Sequence, residues 1–289
     1  MRALVTGASG FVGRHTAAEL RRRGWDVDPW DISCGRDCLK LFRRDGIRYD
    51  LIVHEAASAP HRAAIDGEPL HFARNVQLDA SMFDWAVRTG QGRVVYLSSS
   101  AVYPAELQQD PLQGRLTEDD VDLGRAAEPD SVYGWTKLTG ERLAAAARAA
   151  GLEVTVVRPF SGYGEDQSEN FPFRAIIERA HRGDDPFDIW GDGTQVRDWI
   201  HIDDVVAAML AVAGSGTTEP VNLCTGIGMS MAELAELACK TAGHSPRFAF
   251  RADKPAGVPH RVGDPSRLHA FYEPQISLAE GVERALAGR

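Results

Sequence analysis

No apolar run in this sequence approaches the length of a membrane span, which excludes a spanning helix. Positive charge is also short: 32 Lys and Arg face 41 Asp and Glu, a formal net charge of -9. A general nucleic-acid binder, whose footprint would be basic, is thereby excluded. Anionic ligands must instead be met by local cations and backbone amides. Cysteine is scarce: Cys34, Cys38, Cys224 and Cys239 suit reduced thiols, and the Cys34/Cys38 spacing has no second half that would complete a zinc site. No charged-then-apolar leader precedes the first strand, so the expectation is a cytoplasmic protein with no membrane and no metal. Repeats and low-complexity tracts are missing as well; the alanines of 144–150 continue a helix.

What is present starts with a glycine turn. Met1-Arg2-Ala3-Leu4-Val5 reads as a short buried strand, and Phe11 to Leu20 carries apolar residues at helical spacing. Between them, Gly7 permits a tight turn, Gly10 lets backbone approach a pyrophosphate, and Gly13 lets helix and strand pack closely. The helix N-terminus offers N–H groups and partial positive charge to the anion. Gly24 to Asp31 then reads as a turn and a second strand, ending in a carboxylate about twenty residues beyond the glycines, where a dinucleotide site binds the adenosine ribose. Asp31 favours NAD over NADP, because it would repel a 2′-phosphate. Arg36 is the counter-evidence, although a solvated surface position is the preferred reading, as it is for Asp26 and Asp28.

The remaining pattern alternates. Leu51-Ile52-Val53 reads as a strand ending in His54-Glu55-Ala56-Ala57, whose small Ala56 and Ala57 would let a cofactor pass. A long helix follows over 69–89, then a strand over 93–97 leading into Ser98-Ser99-Ser100. A polar loop with an acidic stretch, Glu118-Asp119-Asp120, precedes a helix over 131–150 and a strand over 153–159. Such βαβ alternation implies an α/β fold with a mostly parallel, doubly wound sheet, which binds ligands at the carboxyl ends of its strands. At 289 residues the chain suits one large α/β unit with an appended lobe.

Tyr133 and Lys137 lie four apart on a predicted helix and share a face. Lys137 can bind a cofactor ribose and set a positive charge near the phenol. Bringing a tyrosine of pKa near 10 to neutrality asks for about 4 kcal/mol of anion stabilisation, which an ammonium and an oxidised nicotinamide could supply together. Ser99 would hydrogen-bond the substrate oxygen.

These pieces, with Asn75, Arg158-Pro159, Trp190-Gly-Asp-Gly-Thr-Gln-Val-Arg197-Asp-Trp-Ile-His201 and Val221-Asn222-Leu223, resemble an extended short-chain dehydrogenase/reductase. The likeness is to the nucleotide-sugar epimerase, dehydratase and reductase group, over nearly the whole length. It implies catalytic Ser99, Tyr133 and Lys137. Against the cofactor it implies Gly7, Gly10, Phe11, Val12, Gly13, Asp31, Asp37 (on the adenine), Ala56, Ala57, Asn75, Tyr133 and Lys137. Toward a nucleoside-diphosphate sugar it implies Ser99, Asn170, Arg197 and Lys254, the last standing near where many members have an arginine. It further implies a Rossmann domain of 1–162 plus 197–226, a smaller substrate lobe of 163–196 plus 227–289, and a homodimer paired through the helices of 69–89 and 131–150.

Departures from the group narrow the reaction. Ser100-Ala101 replaces the Asp-Glu pair of dehydratases. Segments around Ser99 to Pro104 and Lys254 to Pro259 resemble GDP-fucose synthase, yet Ala101 and Phe171 stand where that enzyme has the cysteine and histidine of its C3/C5 epimerisation. Hydride chemistry at C4 remains: an NAD-dependent 4-epimerase is the leading expectation, and an NAD(P)H-dependent 4-ketoreductase the alternative. An idle dinucleotide-binding regulator is disfavoured by the joint presence of Ser99, Tyr133 and Lys137. His61, Arg62, His71 and Trp199 could line the sugar cavity, with surface or packing roles preferred for each.

Overall fold

The structure is a computed structural model that describes residues 1–58, 70–110, 112, 114–125, 127–254 and 257–288. Pro69, His61, Arg62 and the side chain of His71 lie outside what is described. The first half of the chain runs β1 (Arg2–Thr6), α1 (Phe11–Arg22), β2 (Asp26–Trp30), the one-turn α2 (Cys38–Leu41), β3 (Leu51–His54), α3 (Leu70–Arg88), β4 (Arg93–Leu97), α4 (Val132–Ala149) and β5 (Val154–Pro159). The second half runs β6 (Ser161–Tyr163), α5 (Pro172–Arg182), β7 (Phe187–Trp190), β8 (Val196–His201), α6 (Ile202–Ser215), β9 (Val221–Leu223), β10 (Gly228–Ser230), α7 (Met231–Thr241), β11 (Phe248–Arg251), β12 (His260–Arg261) and α8 (Leu278–Ala287).

Six strands form one all-parallel sheet in the order β2-β1-β3-β4-β5-β9. Its central strands are buried almost throughout because helices cover both faces. Side-chain alternation divides the core. Ala3, Val5, Val53, Val95 and Val157 meet Ala17 and Leu20 of α1 and Val205 and Met209 of α6. Leu4, Ile52, Val94 and Val156 meet Met82 and Trp85 of α3 and Ala144 and Ala147 of α4. The expected doubly wound α/β architecture is therefore present. Pro29, which has no N–H to give a ladder, sits on the border strand β2.

A second sheet, β10-β8-β12 with β6 also on β8, and a two-stranded sheet, β7-β11, accompany α5, α7 and α8. Their apolar core includes Tyr163, Phe173, Phe187, Trp199, Leu234 and Val282. Trp199 is thus a packing residue. Within 197–226, Arg197 to His201 belong to β8 of the second sheet, while α6 and β9 go with the first.

Asp26 is at the surface as expected, but Asp28 beside it is not, and one residue of the acidic loop is buried. Asp28 accepts hydrogen bonds from the Tyr49 hydroxyl at 2.5 Å and from Arg36 at 2.6 Å, with its side chain only 14% exposed. Glu118, in the supposed polar loop, is buried in a short 3₁₀ turn and accepts from the Asn222 amide at 2.8 Å.

Behind the future site lies a buried ion pair. Arg158 of β5 clasps Glu141 of α4 with two bonds of 2.9 and 2.7 Å, both side chains being 1% exposed. Ser98 donates to the same carboxylate at 2.5 Å. Arg158 also donates to the Tyr103 hydroxyl, which donates to Asn222 on β9. Removing one partner leaves the other charge buried and alone, so Glu141→Ala is expected to destabilise the fold by about 3–5 kcal/mol. Replacing Glu141 and Arg158 together with apolar residues of similar volume should cost less. Urea unfolding of the two variants checks the order.

Candidate active site

The site assembles at the carboxyl ends of β1 to β5. At the first turn, Gly7 has φ +70°, and a Cβ there would stand 2.8 Å from the backbone of Ala56. A Cβ on Gly13 would come 2.1 Å from the Gly7 carbonyl oxygen, so helix and turn can pack only with glycine there. Gly10 caps α1 without a side-chain hydrogen bond, and no acidic residue stands in the first turn, where Phe11 and Val12 follow. That end of α1 can accept an anion.

Asp31 follows β2 and is held by three hydrogen bonds: from the Ser9 amide at 3.0 Å, the Ser33 amide at 2.8 Å and the Ser33 hydroxyl at 2.7 Å. Burial works to raise its pKa, but bonds from Ser33 and Ser9 outweigh it and hold the carboxyl below the usual range. Asp31 is thus a fixed anion beside the glycine turn. Arg36 does not face it as a free cation. Its guanidinium is bound to Asp28 and lies 4.4 Å over the Trp30 ring. Asp37 caps α2 through the Leu39 amide at 2.9 Å.

Beneath the turn, the amides of Glu55 and Ala56 both donate to Thr6 Oγ1 at 3.2 Å, fixing the end of β3 ahead of Ala57. Buried Asn75, on α3, exchanges two hydrogen bonds with the Ser58 backbone, 2.7 and 2.9 Å, and so closes the segment carrying Ala56 and Ala57. The Glu55 side chain turns toward α1 and accepts from the Thr16 hydroxyl at 2.8 Å.

Ser99 caps a short 3₁₀ turn at the end of β4, its Oγ accepting from the Ala101 amide at 3.1 Å. Ser131 caps α4. A Cβ on Gly134 would stand 2.2 Å from the Ala101 carbonyl oxygen, so the Ser99 turn and the first turn of α4, which carries half-buried Tyr133, are in direct contact. Lys137 is 2% exposed. Its ammonium donates to the Leu97 carbonyl at 2.7 Å and stands 5.9 Å from the Tyr133 ring centre and 4.9 Å from that of Tyr96. Tyr133 and Lys137 therefore share a face of α4, as their spacing predicts, and the Ser99 turn packs against the first turn of the same helix.

The substrate-side residues are more scattered. Arg197 is half-buried on β8. Asn170 is exposed just ahead of α5. Lys254 lies past β11, a strand of the two-stranded sheet, 3.6 Å from Asp253. The cation paired in register with Arg197 is Arg261, on the neighbouring strand β12, a residue that sequence reasoning passed over. Arg261 donates to Gln108 Oε1 and Asp130 Oδ2, each at 2.5 Å. Its only sequence signal is a two-residue strand before Gly263-Asp264. A cleft of about 670 Å³ lined by Met1, Trp25, Asp50, Gly92 and Glu153 opens at the opposite, amino-terminal ends of the strands and contains none of these groups. Among the described residues no three His, Cys, Asp or Glu side chains converge as a metal site, and no helix is long and apolar enough to cross a membrane.

Residues 3–224 match the family model described as the NAD dependent epimerase/dehydratase family. The chain belongs to that family. A dTDP-4-dehydro-6-deoxy-D-allose reductase of Streptomyces sp is 30% identical, over 97% of this chain and 93% of that one. An uncharacterized UDP-glucose epimerase, YtcB, of Bacillus subtilis strain 168 is also 30% identical, over 99% and 97%. Among solved structures, MoeE5 in complex with UDP-glucose and NAD is 28% identical, covering 99% of this chain and 98% of that one, with a TM-score of 0.84. The protein is accordingly an enzyme of the nucleotide-sugar epimerase, dehydratase and reductase group, in agreement with the resemblance read from its motifs.

His260, next to Arg261 and paired with Val196, reports on the arginine beside it. Partial burial lowers its pKa first, and the Arg197 charge lowers it further. Its ring should titrate below the ordinary histidine range in NMR spectra. Arg197→Ala should raise that value without fully restoring it, because the larger cause, burial, remains; an unchanged value would refute the coupling.

Proposed function

We propose that this family member is an NAD-dependent 4-epimerase of a nucleoside-diphosphate sugar. The observation that carries the reading is the meeting of Tyr133, Lys137 and the Ser99 turn at the strand ends that also bear the glycine turn and Asp31. The residues fit a dinucleotide. Gly7, Gly10, Phe11, Val12 and Gly13 would receive its pyrophosphate, Asp31 its adenosine ribose, Asp37 its adenine, Ala56, Ala57 and Asn75 its passage over β3, and Lys137 its second ribose. Asp31, with Arg36 engaged by Asp28, favours NAD over NADP. When bound, NAD supplies a reversible hydride acceptor at C4 of the sugar.

Tyr133 takes the proton of the 4-hydroxyl as hydride leaves C4, and returns it when hydride comes back to the other face. Lys137 stabilises the phenolate form of Tyr133 that accepts the proton, and Ser99 hydrogen-bonds the oxygen that becomes a carbonyl. Arg197 and Asn170, joined by Arg261, hold the diphosphate while the ketone turns over, and Lys254 is a further cation on the substrate side. A guanidinium suits this task because its planar fork matches phosphate oxygens.

The 30% identity to a dTDP-sugar reductase supports a second reading, a 4-ketoreductase that consumes NAD(P)H. The two are separated by cofactor balance: an epimerase runs with no net change in NADH, whereas a reductase oxidises added NAD(P)H mole for mole with a 4-keto sugar. A homodimer through α3 and α4 fits the exposed Val87, Val132 and Trp135 on those helices, at 36%, 41% and 38%. Light scattering would show twice the chain mass.

Tyr133→Phe removes the exchangeable proton and leaves the ring. Turnover of UDP- and dTDP-hexoses should fall by roughly 10²–10⁴-fold with NAD still bound. Turnover that survives this change would reject Tyr133 as the acid and base.

A further inference from the structure

Tyr96 stands on β4 beneath the site, fully buried, and the scheme above gives it no role. Its hydroxyl donates to Asp79 Oδ2 at 2.6 Å, and the other oxygen of that carboxylate faces His54 Nε2 at 3.1 Å. The ring is confined on three sides. His54 stacks on it at 6.2 Å and 23°, Phe83 of α3 packs at 5.6 Å, and α4 closes over the hydroxyl at Gly140, where a Cβ would collide with the phenolic oxygen. Burial first, and the Asp79 charge next, push the Tyr96 pKa well above the ordinary tyrosine range, so this phenol stays neutral.

Over the ring lies the Lys137 ammonium, 4.9 Å from the ring centre and itself almost without solvent contact. An ammonium taken out of water needs compensation. Among the described residues no carboxylate forms an ion pair with it, and the Leu97 carbonyl accepts one of its three donors at 2.7 Å. What else faces the charge is aromatic: the negative face of a ring attracts a cation within about 6 Å, and most strongly where both are desolvated. The Tyr133 ring centre is 5.9 Å from the same ammonium.

We propose that Tyr96 is a positioning residue: its ring is the fixed floor that holds the Lys137 ammonium in reach of Tyr133. This rests on the reading of Tyr133 and Lys137 as the acid–base pair of a dinucleotide site. A lysine stem is flexible and sets no position by itself. The contacts from Tyr96 and Leu97 both come from β4, so the charge is referenced to the strand that leads into Ser99. Around this point stand Asp79 of α3, His54 and Glu55 at the end of β3, Glu141 of α4 and Arg158 of β5. All of them remain in the variants below, so a change in behaviour is referred to position 96.

The test compares the wild-type full chain with Tyr96→Phe, Tyr96→Leu and a protein carrying a trifluorinated phenylalanine at position 96. Fluorination nearly keeps the shape of the phenylalanine ring but removes the negative character of its face. Tyr96→Phe should keep turnover of UDP- and dTDP-hexoses within about threefold of wild type, because the ring remains. The fluorinated ring and Tyr96→Leu should lower turnover at pH 7 by roughly tenfold. Both should also move the low-pH limb of the rate profile upward, since Tyr133 loses a well-placed positive charge that favours its phenolate. Calorimetric titration of NAD⁺ into the nucleotide-free chain gives a readout that needs no sugar. Exchanging phenylalanine for the fluorinated ring should weaken NAD⁺ by about threefold, and this difference should vanish in a Lys137→Met background. Equal behaviour of the two rings in turnover, pH limb and affinity makes Tyr96 a packing residue and overturns the proposal, whether or not Tyr96→Leu folds. A ring difference that persists without Lys137 also overturns it, as does a Tyr96→Phe protein as impaired as Tyr96→Leu. If the wild type binds no NAD⁺, the dinucleotide reading itself falls. If NAD⁺ binds and the rings differ only while Lys137 is present, the proposal stands even where no offered sugar turns over.

Discussion

The geometry of the site depends on the Glu141–Arg158 ion pair. Two opposite charges with almost no solvent contact tolerate little displacement, because any separation leaves each of them desolvated without compensation. Glu141 lies one turn beyond Lys137 on α4, and its carboxylate also receives the hydroxyl of Ser98, the residue before Ser99. The rotation of the helix that carries Tyr133 and Lys137 is therefore fixed against the end of the strand that carries Ser99. Arg158 extends the constraint through Tyr103 to Asn222, tying in the outer strand β9. Chemistry at the strand ends is positioned from behind, by groups that need never touch a substrate.

A second buried network supports the cofactor side. His54 joins Thr6 and Asp79, and Tyr96 donates to the other oxygen of Asp79 at 2.6 Å while its ring underlies the Lys137 ammonium. Thr6 in turn accepts the amides of Glu55 and Ala56. The strand ends that would face a dinucleotide are thus held by buried hydrogen bonds that link the sheet to α3 and to the turn after β3. Pre-organisation of this kind lowers the ordering cost of binding.

Much of the fold and site was legible in the sequence where the signal is local. The glycine turn is a matter of φ and close approach, the Tyr133/Lys137 pair of helical spacing, and the Rossmann sheet of buried runs alternating with amphipathic ones. What escaped depends on partners far apart in the chain. Asp28 and Glu118 look like solvated charge until Tyr49, Arg36 and Asn222 arrive to satisfy them. Arg261 gains its place only from pairing in register with Arg197, which no spacing rule reveals. The assignment of β8 to a separate sheet is likewise a tertiary decision, since its residues read equally well as a strand of either.

The borders of the six-stranded sheet have a consequence for how copies of this chain can meet. On one side stands β2, where Pro29 interrupts the row of donors; on the other stands β9, only three residues long. Neither is a good template for an added strand, so lateral growth into continuous β-structure is blocked at both ends. The six-stranded sheet is thereby closed to extension, whatever surface two copies would use to meet.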